Sequence, residues 1–286
     1  MRTNFILSIC AVVIVLIAGS CKKEETGSDT KAVFSYVADG FQVNFTNFSR
    51  NATEYIWEFN DGSNETSTKK YPQHVFKSKG KFLVTLTAKN GNESSVFSDT
   101  VTILGPNIKI DGDFKDWENV SYSHTNAASA GGNLLAMKTF ATDNSINFYL
   151  EGTTDMKMEI FDLYLDVDNN TATGFNTWQY PMGSGSEFLL EGSFKDGWGD
   201  MFKHTGAPTE FAFTPVASFS DVLSYSQIKT VGGKNIIEFS VKRSKLGTNL
   251  KGFVNYSITE LTSGWAAVGS LPTFQTPTSA FGKIAL

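Results

Sequence analysis

The chain of 286 residues has only two cysteines, Cys10 and Cys21, and both lie near its N-terminus. The rest of the chain can therefore form neither an internal disulfide nor a thiolate metal site. Its three histidines lie far apart in the sequence and form no zinc-binding motif. Neither G-x-S-x-G nor H-E-x-x-H occurs, which excludes the common serine-hydrolase and zinc-protease signatures.

Positive charge is also scarce, because 24 Lys and Arg face 29 Asp and Glu and the net charge is -5. Without a basic block, the chain lacks the electrostatic footprint of a nucleic-acid-binding protein. No long helical period appears, whereas short alternating runs separated by Gly, Asn, Asp and Ser recur. We therefore predict an all-β protein with two β-sandwich domains in tandem.

The N-terminus has the pattern of an export signal. One arginine precedes an apolar run at residues 5–18, which is too short to span a bilayer. The run ends Ala18-Gly19-Ser20-Cys21, which resembles the bacterial lipobox. The resemblance implies removal of residues 1–20 and lipidation of Cys21. An ordinary secretory signal or an uncleaved anchor is the alternative.

Residues 21–31 are predicted to form a lipidated flexible tether. The tether begins Cys21-Lys22-Lys23-Glu24-Glu25, which is similar to the charged export signal of surface lipoproteins in polysaccharide-foraging Gram-negative bacteria. The resemblance implies a protein of the outer membrane that is exposed at the cell surface. The same residues also suit a plain solvated tether.

Residues 32–104 form the predicted first domain. Its two motifs are W-E-F-N-D-G at residues 57–62 and Y-P-Q-H-V-F at residues 71–76, the latter continued by G-K-F-L-V-T-L-T-A at residues 80–88. In this order they resemble polycystic-kidney-disease (PKD) domains. The resemblance implies an immunoglobulin-type sandwich that acts as a spacer or contacts protein or glycan. We expect structural roles for Trp57, Asp61, His74 and Phe76, and a short linker at residues 104–107.

Residues 108–286 form the predicted second domain. It opens with I-K-I-D-G-D-F-K-D-W at residues 108–117, and further motifs follow at residues 141–150, 161–174, 186–192 and 236–247. The ordered set resembles family 9 carbohydrate-binding modules and the wider DOMON-like sandwiches. The resemblance implies a second, larger β-sandwich that binds glycan. We expect Trp117 to pack in its core, as most such tryptophans do.

Oxygen ligands end one predicted strand of this domain. Asp166, Asp168 and Asn170 have the carboxylate and amide oxygens that a hard cation such as Ca²⁺ prefers. The complete EF-hand pattern is absent, and an acidic turn closed by side-chain hydrogen bonds is the alternative. A structural calcium ion is therefore a hypothesis, and no other cofactor is predicted.

A carboxylate pair for glycoside hydrolysis is not evident in the sequence. Such a pair needs carboxyl groups about 5 to 9 Å apart. Asp162 and Asp166 lie about 13 Å apart on a fully extended strand. We therefore predict that the protein is not an enzyme.

Aromatic residues in turn-rich segments are the candidates for sugar binding, because the C–H face of a sugar stacks on an aromatic ring. Trp198 is the strongest candidate, since glycines flank it on both sides. Core packing is the alternative for each tryptophan. The predicted binding set comprises Trp178, Gln179, Tyr180, Glu187, Trp198 and Trp265, with Asp196 and Asp200 as further hydroxyl partners.

Three functional hypotheses follow. The leading one is a non-catalytic surface lipoprotein that captures polysaccharide, a neutral β-glucan, for uptake by an outer-membrane transporter. The second is an adhesion or scaffolding lipoprotein that contacts protein partners, which predicts that the tryptophans at 178, 198 and 265 lie in the core. A haem-binding DOMON relative is the third, but the sequence shows no paired axial ligands around His124 and His204.

Overall fold

The computed structural model describes residues 29–286 except 249 and 275, so the export signal and Cys21 lie outside the described residues. Nearly all of the regular structure is β, which confirms the predicted class. The described part has one short helix, α1 (Phe219–Val222), and two 3₁₀ turns, Phe114–Trp117 and Arg243–Lys245. Within it no helix is long and apolar enough to cross a bilayer.

The first domain is a sandwich of a three-stranded sheet, in the order β1-β2-β5, and a four-stranded sheet, in the order β4-β3-β6-β7. Its strands are β1 (Phe34–Asp39), β2 (Gln42–Asn47), β3 (Glu54–Glu58), β4 (Thr66–Ser67), β5 (Gln73–Val75), β6 (Gly80–Asn90) and β7 (Glu93–Ile103). Trp57 is fully buried, with its ring 5.2 Å from Phe34 and 5.3 Å from Phe45. The tryptophan of the first motif is thus the centre of this core, as expected.

His74 and Asp61 form a buried pair in the same sandwich. His74 Nε2 lies 2.8 Å from Asp61 Oδ2, and the imidazole stacks on Phe59 at 3.9 Å. Burial raises the pKa of Asp61, but hydrogen bonds from Ser63 and His74 outweigh it and hold the pKa at about 2. Since both side chains are satisfied inside the domain, their role is structural, as predicted.

The second domain is a larger sandwich. Its first sheet has the order β15-β17-β10-β9-β8, with β16 also on β17, and its second has the order β14-β13-β12-β11-β18-β19, with β20 also on β18. The strands are β8 (Tyr122–Thr125), β9 (Leu134–Ala141), β10 (Ser145–Gly152), β11 (Ile160–Asp166), β12 (Phe188–Ser193), β13 (Trp198–His204), β14 (Phe213–Ser218), β15 (Leu223–Tyr225), β16 (Lys229–Val231), β17 (Lys234–Lys242), β18 (Phe253–Leu261), β19 (Ala267–Leu271) and β20 (Gly282–Ala285).

The opening motif of the second domain is held by one buried carboxyl group. Trp117 is fully buried, as predicted, and its Nε1 donates to Glu238 Oε2 at 2.9 Å. The backbone N–H groups of Asp111 and Gly112 donate to the other oxygen of Glu238. A single acceptor therefore satisfies both the turn and the tryptophan that follows it, which explains why these residues occur together.

The two sandwiches are in contact where the linker joins them. The rings of Phe41 and Phe140 meet edge to face at 5.8 Å, and Lys79 Nζ donates to the carbonyl of Ala141 at 2.9 Å. Gly105 of the linker has φ +84°, and a Cβ there would clash with the ring of Phe140. The linker thus needs glycine at this position, because a side chain would displace the junction.

Candidate functional site

The seven-stranded sheet has one face in the core and one face turned away from it, and the second face holds the candidate site. Along β11, Phe161, Leu163 and Leu165 enter the core between the sheets. Because successive side chains of a strand point to opposite faces, Asp162 and Tyr164 lie on the other side. We call this side the outer face.

A row of polar residues crosses the outer face. Asp162 of β11 pairs with Glu191 of β12 on one side and with Thr259 of β18 on the other. Glu191 continues the row to Asp200 of β13, and Thr259 continues it to Ser270 of β19. Directly paired residues of antiparallel strands project to the same face with Cβ atoms about 5 Å apart. The five residues Asp200, Glu191, Asp162, Thr259 and Ser270 therefore form one line, which we call the polar row.

Two carboxyl groups meet in the middle of the polar row. Asp162 and Glu191 are half-buried and are hydrogen-bonding neighbours. Burial and the adjacent Glu191 carboxyl raise the pKa of Asp162 to about 7, and burial also raises the pKa of Glu191. Among the described residues, no Lys or Arg forms an ion pair with either one. The pair therefore retains a proton near neutral pH, when isolated carboxyl groups are ionised.

Part of the polar row has no partner in the protein. Thr259 is 2% exposed, and its Oγ1 has no hydrogen-bond partner among the described residues. Asp162 Oδ1 has none there either. A buried polar atom without a partner costs about 1–3 kcal/mol. Because these two atoms are covered by protein, a polar molecule that reaches the outer face would contact the partly exposed side chains of Asp162, Glu191 and Asp200.

Trp198 flanks the polar row. It pairs with Ser193 and lies two residues before Asp200, on the same face of β13. This position makes Trp198 the diagonal neighbour of Glu191, with Cα atoms about 7–8 Å apart. The Trp198 side chain is 44% exposed. A ligand that covers its ring is therefore within reach of the carboxyl pair.

Trp265 lies at the same end of the sheet, on the hairpin between β18 and β19. Glu159 connects this hairpin with the turn before Trp198. Its Oε1 lies 3.3 Å from Lys195 Nζ, and its Oε2 accepts a hydrogen bond from Ser263 N at 3.1 Å. The two turns are therefore held together beside the start of β11. Strands β13 and β18, which adjoin them, are three strand spacings apart, or about 14 Å.

The backbone of Trp265 is strained. Its φ is 67°, in the left-handed region, and its side chain is 53% exposed. This conformation costs a residue other than glycine about 1–2 kcal/mol. A strained, exposed tryptophan at a hairpin tip gains little from packing, so both observations indicate a functional role.

Trp178 is on the loop of residues 167–187, between β11 and β12. Phe175 of this loop packs on Tyr164 of the outer face, with ring centroids 6.2 Å apart. Trp178 is 72% exposed and Gln179 is half-buried. The three candidate tryptophans are thus exposed, contrary to the expectation of the protein-contact hypothesis that they lie in the core.

Tyr180 does not fit the predicted binding set. Its side chain is 1% exposed, its Oη donates to the carbonyl of Pro272 at 2.7 Å, and its ring lies 4.9 Å from that of Phe281. A ring enclosed in this way presents no face to a sugar. The prediction for Tyr180 was therefore wrong, and the residue anchors the 167–187 loop instead.

A second acidic group lies where β11 ends. Carboxyl oxygens of Asp166, Asp168 and Glu187 lie within 4.8 Å of one another, and we call these three residues the carboxylate cluster. Burial raises the pKa of Glu187 to about 7, and the charges of Asp168 and Asp166 contribute to the rise. Glu187, predicted to bind sugar, is thus a neighbour of the predicted calcium ligands. Asn170 is exposed, and its Oδ1 accepts from Ala172 N.

Comparison with known proteins identifies the family of the first domain. Residues 30–103 match the family model of the PKD domain. They form a PKD domain. The chain is similar to the PKD1 domain of the metalloprotease PrtV from Vibrio cholerae, with 26% identity over 26% of this chain and 95% of that chain and a TM-score of 0.24. None of the curated proteins compared with the chain matches it.

The chain is also similar to carbohydrate-binding modules with a β-sandwich fold. One is the family 9 module from Caldicellulosiruptor kristjanssonii in complex with cellotriose, with 15% identity over 62% of this chain and 88% of that chain and a TM-score of 0.35. Another, from a study of promiscuous modules of the β-sandwich superfamily, has 15% identity over 74% of this chain and 91% of that chain, with a TM-score of 0.25.

The structure brings together residues that the sequence did not connect. Of the predicted set, Trp198 and Asp200 lie beside or in the polar row, whereas Asp196 accepts a hydrogen bond from Ser193 in the preceding turn. Asp162 and Glu191 were not predicted as partners, because they lie on different strands and are far apart in the sequence.

Proposed function

We propose that the protein is a non-catalytic, lipid-anchored glycan-binding protein of the cell surface. The observation that carries the proposal is an exposed tryptophan, Trp198, beside a polar row on one sheet face. Trp198 is the diagonal neighbour of the row, and Trp265 is held at the same end of the sheet. Stacking of sugar rings on such aromatics, with hydrogen bonds from neighbouring polar groups to the hydroxyls, is the usual chemistry of glycan sites.

The ligand in this proposal is a neutral polysaccharide of the β-glucan type. The row contributes the carboxyl groups of Asp162, Glu191 and Asp200. The nearby cation, Lys195, is paired with Glu159. An anionic sugar would therefore meet negative charge without a free counter-ion beside it, whereas a neutral chain meets no such repulsion.

The proposal includes a membrane location, which the lipobox-like residues 18–21 support. Cleavage before Cys21 and lipidation of its thiol would anchor the chain, and the residues from Lys22 to Glu25 would direct it to the outer surface. The PKD domain would then act as a spacer between the lipid and the glycan-binding sandwich. In this arrangement the protein hands captured polysaccharide to an outer-membrane transporter. Cys21→Ser should abolish labelling with radioactive palmitate and release the protein from the membrane fraction.

Calcium binding to the carboxylate cluster is a further part of the proposal. Three carboxylates within 4.8 Å fit a hard divalent cation, which prefers oxygen ligands and would neutralise their mutual repulsion. The ion would hold the end of β11 against the end of the 167–187 loop, because Glu187 closes that loop. Its role is structural, and the glycan contacts do not depend on it directly.

Affinity electrophoresis tests glycan binding. The wild-type protein should be retarded by at least one neutral β-glucan in a polysaccharide panel. Trp198→Ala and Trp265→Ala should each weaken the retardation about tenfold or more, because each ring contributes a stacking surface. Tyr71→Ala is the matched control, since Tyr71 is an equally exposed aromatic residue (56%) on the PKD domain. Absence of retardation by every glycan would refute the proposal.

A further inference from the structure

The proposed function does not explain why the carboxyl groups of Asp162 and Glu191 are placed side by side. The two residues are direct cross-strand neighbours, and each would be ionised at neutral pH in water. No cation among the described residues balances them. A pair of like groups without a counter-ion destabilises a fold unless one proton remains between them.

Such a pair offers both kinds of hydrogen-bonding group. The protonated carboxyl donates one hydrogen bond, and the remaining oxygens accept several. A vicinal diol, with two adjacent hydroxyl groups, presents the matching set of donors and acceptors. Bonds of this kind to a charged acceptor are about twice as strong as bonds between neutral groups. The pair therefore suits an uncharged polyol better than it suits an apolar or an anionic ligand.

The position of the pair fits a ring stacked on Trp198. Glu191 is the diagonal neighbour of Trp198, so a sugar lying on the indole turns one edge toward the pair. Thr259 follows Asp162 in the row, but its side chain is 2% exposed and its hydroxyl is covered by protein. The tryptophan and the carboxyl pair thus line up across adjacent strands.

We propose that Asp162 and Glu191, side by side on adjacent strands, bind two adjacent hydroxyls of an uncharged sugar ring stacked on Trp198, so that the pair selects neutral over acidic glycans. The inference rests on the proposed glycan-binding function and assigns its specificity. A uronate at this subsite would bring a third carboxylate beside the pair and would lose the contact through Coulomb repulsion and desolvation.

Two variants separate recognition from folding. Glu191→Leu keeps the size of the side chain and removes its hydrogen bonds, and the double variant D162N/E191Q keeps hydrogen-bonding groups but removes the charge. Hydroxyethylcellulose is the neutral probe and carboxymethylcellulose is the anionic probe on the same backbone. If another neutral glycan of the panel is the ligand, that glycan and its carboxymethylated form replace them. Asp143→Asn, at an exposed position outside the row, is the control.

The expected results differ between the two variants. Glu191→Leu should weaken binding of the neutral probe about 10- to 100-fold, the effect of losing hydrogen bonds to a charged group. D162N/E191Q should retain most of the neutral binding and bind the anionic probe at least tenfold more tightly than the wild type does. Asp143→Asn should change neither affinity, and melting curves should show that each variant is folded.

The outcomes also separate this inference from the proposed function. If Trp198→Ala loses the neutral probe but Glu191→Leu and D162N/E191Q bind both probes as the wild type does, the carboxyl subsite is refuted and glycan binding stands. If the wild type binds no glycan, both proposals fail. If the wild type prefers the anionic probe, the selection of neutral sugars is refuted. If Glu191→Leu does not fold, the charge-neutral double variant still decides the question.

Discussion

Replacing Asp162 with asparagine is expected to stabilise the protein above pH 7 and to leave its stability unchanged near pH 4. In the unfolded chain Asp162 releases its proton around its ordinary pKa of 3.8, whereas in the folded protein burial and Glu191 raise that pKa to about 7. The folded state therefore holds more protons than the unfolded state between these values. Because stability falls with pH wherever the folded state binds more protons, the wild type loses stability from about pH 4 to about pH 7.

The size of the effect follows from the difference between the two pKa values. A difference of about three pH units, at 1.36 kcal/mol per unit, gives at most about 4 kcal/mol. Solvent reaches the half-buried edge of the pair, so the observed difference should be smaller, on the order of 1–3 kcal/mol. Asp200 faces the same pair from strand β13, and Tyr164 faces it from a position two residues further along β11. Both remain in the Asp162→Asn variant, so their contributions largely cancel in the comparison.

Urea unfolding at several pH values between 4 and 8.5 measures this difference. The free energies of unfolding of the wild type and of Asp162→Asn should coincide at low pH and diverge as the pH rises through 7. Glu187 has a similarly raised pKa and titrates in the same window in both proteins. Asp143→Asn should follow the wild type. A constant offset between Asp162→Asn and the wild type at all pH values would show that the pair does not hold a proton.

Three further predictions concern other parts of the molecule. Millimolar Ca²⁺ should raise the melting temperature of the wild type but not of Glu187→Gln, and an unchanged wild-type curve would contradict the calcium proposal. Trp265→Gly should be about 1 kcal/mol more stable to urea than Trp265→Ala, because only glycine adopts a φ of 67° without strain; equal stabilities would show that the backbone is unstrained. Asp61→Asn should destabilise the PKD domain by about 1–3 kcal/mol at pH 7. Since the Asp61 pKa is depressed to about 2, the difference should shrink as the pH falls from 4 toward 2, and a difference constant with pH would contradict the buried pair.

Local patterns in the sequence were sufficient to predict which aromatic side chains are buried in the cores of the two domains. The alternation of Trp57 and Phe59 predicts two rings on one side of a strand, and both are buried. Trp117 was likewise expected in the core. Its partner Glu238 was not foreseeable, because 121 residues separate them and only the sheet brings them together. Short-range periodicity thus identifies which side chains are buried but not which distant group satisfies them.

The candidate site depended on strand register, which the sequence does not reveal. Asp162 and Glu191 are opposite each other only because the 167–187 loop sets how β12 returns along β11. Tyr180, in contrast, was predicted to bind sugar and does not fit that role. Its turn-rich sequence context favours exposure, whereas Pro272 and the ring of Phe281 enclose its side chain. Both results are tertiary effects, and a pattern of neighbouring residues has no signal for either.

The contacts that Glu159 makes with two hairpins have a consequence for the length of the ligand. Because this side chain bonds to both turns, Trp198 and Trp265 are held at the same end of the sheet as a two-point platform, next to strands that lie about 14 Å apart. A single sugar can occupy only one of the two indoles, whereas a longer chain covers both and binds the second ring at high effective concentration. Affinity should therefore rise steeply with the number of sugar units until the chain spans the platform, and then level off.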